Sequence, residues 1–176
     1  MMKSKKRFSA LLMAVLTLLI AGAAGFGQRH LIISSAARLI SKPDVKVQLA
    51  AAVERDAALV PLDKAAAVKP GEILDWTIIS ENSGNAVALE YKAVGHIPRG
   101  TTFIADSAKA DGARAVYSID NGKSYSAQPM IEVPQADGSV KQVAAPVSMY
   151  TEIRYEWADP LAQGGKLSAS YKVRVK

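Results

Sequence analysis

Residues 148–176 read "SMYTEIRYEWADPLAQGGKLSASYKVRVK", and their alternation decides the fold class. Thr151, Ile153, Tyr155 and Trp157 share one face of the first run, and Glu152, Arg154 and Glu156 lie opposite; Tyr150 stands off the apolar face. The second run alternates more strictly, with Leu167, Ala169, Tyr171, Val173 and Val175 inward and Ser168, Ser170, Lys172, Arg174 and Lys176 toward water. A period of two over this length is the signature of strands buried on one face. Between the runs, Asp159-Pro160 and Gly164-Gly165 turn the chain.

The same grammar extends upstream. "VKVQL" puts Val45, Val47 and Leu49 on one side and Lys46 and Gln48 on the other, predicting a half-buried strand. Pro61 and the Lys69-Pro70-Gly71 turn limit any regular element between them. "ILDWTIIS" reads as the central strand, with Leu74, Trp76 and Ile78 on its apolar face. Ser83-Gly84-Asn85 is expected to supply the positive φ of a reversal. "VALEYKAVGHI" is a further strand closed by Pro98-Arg99-Gly100, and "TTFIA" a short one after it. "AVYSI" and "KSYSA" flank Asp120-Asn121-Gly122, a hairpin signal with a loop longer than two residues. About seven strands and no convincing helix after the leader predict an all-β fold, an immunoglobulin-like antiparallel β-sandwich over residues 45–176.

The N-terminus has a different logic. Lys3, Lys5, Lys6 and Arg7 precede an apolar stretch over residues 10–20, and the small residues Ala21-Gly22-Ala23-Ala24-Gly25 follow. This is the pattern of an export signal, read as residues 1–23; the alternative is an uncleaved anchor, since residues 8–27 are long enough to span a bilayer. Residues 24–44 read as a linker or short helix ending at Ser41-Lys42-Pro43-Asp44. Four of the 22 basic residues belong to the leader, so its removal leaves 18 basic against 16 acidic. The formal charge of +6 is therefore mostly a targeting signal, and no nucleic-acid partner is expected. With no cysteine, disulfides, thiolate metal sites and lipid attachment at a cysteine are all excluded. Core burial must hold the domain together.

Chemistry-bearing residues are sparse. The histidines are His30, beside the leader, and His96, read as an exposed loop residue. Asp106, Asp111 and Asp120 sit in calcium-loop-like strings, but EF-hand spacing and its closing bidentate acid are missing, so they are read as turn formers. No nucleophile elbow, zinc-protease helix or phosphate loop occurs. Trp76 and Trp157 lie on apolar strand faces and read as core. Glu152, Arg154 and Glu156 are expected to pair with Lys172, Arg174 and Lys176 across neighbouring strands.

The order of turns carries a resemblance. Pro70-Gly71, Trp76-Thr77, Asn82-Ser83-Gly84, Ile97-Pro98-Arg99-Gly100-Thr101 and Gly164-Gly165 follow one another as in the conserved-repeat domain of bacterial cell-surface proteins, known as the domain of unknown function eleven. Residues 45–176 resemble a single copy of it. Gly95-His96 departs from the family's usual Asp-Pro, and no tandem repeat is present. The resemblance implies a structural or adhesive sandwich without catalytic residues. The expectation is thus an exported, non-enzymatic module of the periplasm, cell surface or medium. Its partner would be another envelope or surface protein, and it would touch the membrane only through an uncleaved leader. No catalytic, cofactor or metal residues are assigned. The alternative is a small envelope calcium-binding protein or hydrolase.

Overall fold

A computed structural model describes residues 41–176; the leader and the segment read as a linker, up to residue 40, lie outside the described residues. Eleven strands follow in order: β1 (Val45–Arg55), β2 (Ala58–Pro61), β3 (Ile73–Asn82), β4 (Lys92–His96), β5 (Thr101–Phe103), β6 (Lys109–Ala110), β7 (Ala113–Ser118), β8 (Met130–Pro134), β9 (Val140–Ala144), β10 (Glu152–Trp157) and β11 (Lys166–Val175). A single 3₁₀ turn, Val147–Met149, precedes β10. The larger sheet runs β2-β1-β3-β11-β5, with β6 also on β11; the smaller runs β4-β10-β7. All pairings are antiparallel. β8 and β9 form a separate hairpin. The protein is an antiparallel β-sandwich, as the alternation requires.

Strand register places the core. Leu74 sits beside Val53 and Val173, Trp76 beside Ala51 and Tyr171, and Ile78 beside Leu49 and Ala169. Across from them the smaller sheet contributes Ala93, Ile153, Tyr155 and Trp157. Tyr171 stacks on Trp76 with ring centroids 6.4 Å apart, and the Trp157 indole donates to the Asp111 carbonyl at 2.9 Å. Both tryptophans therefore belong to the interior side. Trp157 is buried; Trp76 is half-buried, and its indole N–H has no hydrogen-bond partner among the described residues.

Close packing requires the glycine at position 95. It faces the interior from β4, where an added Cβ would stand 2.4 Å from Tyr171 Cε1. The Tyr171 hydroxyl then donates to the His96 carbonyl at 2.6 Å, locking the last strand of one sheet onto the first of the other.

Several expectations need correction. β10 and β11 do not pair: they lie in opposite sheets, with their charged faces turned outward on opposite sides. Glu156 is bound by Arg114 at 2.7 Å and Arg154 at 2.6 Å, whereas Lys172 reaches Glu54 at 3.3 Å and Asp75 at 3.7 Å. β11 is an inner strand, flanked by β3 on one side and by β5 and β6 on the other. Alternation fixes a strand's faces and is silent on its neighbours.

Gly84 does not have positive φ. It is required by close approach, because a Cβ there would lie 2.3 Å from the Asp44 nitrogen and 2.5 Å from the Lys42 carbonyl oxygen. The strand read from Val87 starts at Lys92; Ala88 makes an isolated bridge to Leu161, and Glu90, at φ 48°, bends the chain between. "KSYSA" contributes one bridge, Tyr117 to Ser126, so the loop around Asn121-Gly122 is indeed long.

β2 was not legible because its turn from β1 uses Asp56 (φ 50°) and Ala57 (φ 61°), a tight hairpin shape without the usual glycine. The last correction concerns β1. Its alternation is real, but Val47 and Leu49 on the expected buried face are each 58% exposed. The smaller sheet is three strands wide and, among the described residues, nothing covers that end of the larger one.

Candidate functional site

The densest polar cluster lies on the outer face of the smaller sheet. Register sets Glu152 directly between His96 of β4 and Ser118 of β7. One Glu152 oxygen meets His96 Nδ1 at 3.1 Å, and the other accepts a short hydrogen bond from the Tyr125 hydroxyl. The Arg154 guanidinium lies over the Tyr125 ring, 3.9 Å from its centroid. Gly122, at φ 81°, lets the loop come this close, since a Cβ there would stand only 2.7 Å from Glu152 Oε2. Burial, followed by the bond to the Glu152 carboxylate, pushes the Tyr125 hydroxyl up to about 12, so it keeps its proton and donates.

The Glu152 side chain is 12% exposed, but that of His96 is 76% exposed. A cleft of about 430 Å³ opens beside them, lined among others by Arg99, Asn121, Tyr150 and Lys176. Two hydroxyls that flank Glu152 in the sheet are committed to structural hydrogen bonds. Thr151 Oγ1 donates to the Ser118 carbonyl at 3.1 Å and accepts from Asn121 N–H at 3.1 Å. Ser118 Oγ donates to Asp120 at 2.7 Å and accepts from Gly122 N–H at 2.9 Å. No hydroxyl in this set stands within reach of the His96 ring as a nucleophile held by a base. The cluster is built as a clamp that ties residues 119–126 to β10.

Asp120 is a turn former in the sense expected. It accepts from Ser124 through both N–H (2.9 Å) and Oγ (2.6 Å). Those bonds, with that from Ser118, hold its carboxyl well below the usual range, at about 2. Asp106 adopts φ 60° in its own turn, and Asp111 serves Trp157 through its carbonyl. Among the described residues, no three His, Asp or Glu side chains are grouped to hold a metal ion. His96 is exposed as read, but it closes a strand and carries a carboxylate partner. That partnership was invisible without the pairing of β4 with β10.

A pH dependence follows from these bonds. Glu72 is likewise held at about 2, first by its hydrogen bond from the Arg55 guanidinium and then by Lys69 N–H. Both carboxyls lie below their unfolded values, so their contribution is complete above about pH 5 and lost as pH falls toward 2. Melting temperature should fall steeply over that window, and the double variant Asp120→Ala, Glu72→Gln should start lower and fall less. Parallel curves for wild type and variant would contradict the assignment.

The second candidate surface is the open edge of β1. β2 covers β1 only over Ala52, Val53, Glu54 and Arg55, with Leu62 N–H reaching the Ala51 carbonyl at 2.8 Å. Residues 45–50 have β3 on one side and no strand on the other among the described residues. Other edges carry the usual protection. β5 is three residues long, β8 contains Pro134, β4 carries Lys92 and His96, and β7 is capped by the Ser126 bridge.

An antiparallel sandwich with a bare apolar strand edge and a structural polar clamp is the class these features define. Searches against protein-family models, curated proteins and solved structures find no match for the chain.

Proposed function

We propose that this chain is an exported, non-enzymatic β-sandwich module that works by protein–protein contact in the bacterial cell envelope. The observation that carries the reading is the edge of β1, where Val47 and Leu49 stand exposed beside main chain that no strand pairs among the described residues. Strand addition at such an edge gives affinity through main-chain hydrogen bonds and specificity through alternate side chains. The basic leader with its apolar stretch and small-residue exit supports export, and the ordered turns shared with the conserved-repeat domain support a structural or adhesive role. The commitment of the Glu152 cluster to holding a loop favours this over a hydrolase.

The test is a photo-cross-linking residue introduced at position 47, or at the exposed Val94 of the other sheet, in cells that express the chain. Protein adducts in the envelope fraction are expected from position 47 and at least about tenfold fewer from position 94, in line with an energetic focus on one surface. A chain that stays in the cytoplasm, or equal labelling from both positions, would overturn the proposal.

A further inference from the structure

We infer that the protein received by the β1 edge is a second copy of this chain, paired β1 to β1 about a two-fold axis through Val47. The inference rests on the interaction-module reading and adds the identity of the partner. Main-chain direction comes first. Ala51 and Val53 turn their carbonyl and N–H groups toward β2, so by the alternation of an antiparallel ladder Val45, Val47 and Leu49 turn theirs to the same, open side. The even-numbered residues face β3, as Asp44 does in accepting from Ser83 N–H at 2.8 Å.

In an isologous antiparallel pair, odd residues must therefore oppose odd residues. Centring on Val47 sets Val47 against Val47 and Val45 against Leu49, joining the apolar stripes of both copies on one face. On the other face it sets Lys46 against Gln48. Moving the axis to Lys46 would oppose the two lysines, and like charges directly opposite are destabilising. Moving it to Gln48 would bring Val45 against Ala51, whose carbonyl already accepts from Leu62. In the Val47 register the ladder spans residues 45–49. At the other end Pro43 has no N–H to offer, and the chain there has turned onto the Asn82 to Asn85 loop through Lys42 and Asp44. The strand is thus its own complement in one register. It carries no proline, and its only charged side chain within residues 45–50 finds a neutral polar partner.

A ladder this short sits at the low end of interface sizes, so association should be concentration-dependent. The register makes a signed prediction. Gln48→Glu places a carboxylate opposite Lys46 twice in each dimer and should tighten association by about fivefold, whereas Gln48→Lys should weaken it by a similar factor. Position 48 is exposed, and neither change touches the core.

The chain as recovered from the envelope of expressing cells would be followed by sedimentation equilibrium from low micromolar to near-millimolar concentration. Val47→Cys supplies a second readout in a protein without cysteine, because directly opposed residues of an antiparallel pair lie within disulfide range. It should oxidise to a folded covalent dimer at least about tenfold faster than Lys46→Cys, whose mate in this register is Gln48. A monomer throughout the range, a dimer indifferent to both position-48 variants, or equal oxidation of the two cysteine variants would overturn the inference. Adducts from position 47 that contain only a different protein would also overturn it, while leaving the interaction-module reading intact. A cytoplasmic chain without adducts would remove both.

Discussion

Tyr171→Ala should destabilise the domain by about 4–5 kcal/mol, a large part of what a single domain has in reserve. The side chain is 1% exposed and sits at the centre of the sandwich. Its ring fills the space over Gly95, stacks on Trp76, and its hydroxyl donates to the His96 carbonyl, so truncation leaves a cavity and an unsatisfied acceptor together. Burial pushes the phenol well above its ordinary value, and the bond therefore persists through the alkaline range. Tyr171→Phe keeps the packing and removes only the hydroxyl, and should cost about 1 kcal/mol. Urea unfolding of the three proteins separates the contributions. A Tyr171→Ala variant within about 1.5 kcal/mol of wild type would mean that the ring does not hold the two sheets together.

Asn82→Ala is expected to cost about 3–4 kcal/mol, although only a small side chain is lost. Asn82 is fully buried at the end of β3, and each of its side-chain groups is used twice. The carbonyl accepts from Asp44 N–H and Gly84 N–H, both at 3.1 Å, and the amide donates to the Ala86 carbonyl at 2.7 Å and the Leu161 carbonyl at 3.1 Å. The residue thereby joins the entry to β1, the turn after β3 and the link between β10 and β11. Asn82→Asp retains the acceptor but points a second oxygen at two carbonyls, and should be no milder than alanine. Amide exchange at Asp44 and Gly84, whose N–H groups donate to the Asn82 carbonyl, would accelerate in Asn82→Ala. Exchange unchanged at those sites would contradict the network.

The two sites differ in how far they could be read in advance. Tyr171 was expected to face inward because residues 167–175 alternate without a break. Asn82 was read as part of a loop signal, because an asparagine before Ser83-Gly84 is ordinary turn chemistry. Its burial depends on residues far along the chain arriving around it. The Glu152 cluster is the same kind of case. Glu152 was assigned to a solvent face, and only the flanking strands bring His96 and the Tyr125 loop onto that face.

Local pattern alone determined that residues 45–176 are all-β, which residues of each strong strand share a face, where Pro70-Gly71 and Pro98-Arg99-Gly100 turn the chain, and that no disulfide staples the fold. These are properties of short stretches: a period of two, a steric demand for glycine, a missing residue type. Tertiary structure decided which strands are neighbours and how wide each sheet is. It separated β10 from β11 and so gave Glu156 to Arg114 instead of to the lysines of the last strand. Among the described residues it also leaves half of β1 uncovered, because the three-stranded sheet does not reach across the larger one. An alternating strand has the same sequence whether its apolar face meets a core or remains open for a partner, and only the packing of distant segments tells the two apart.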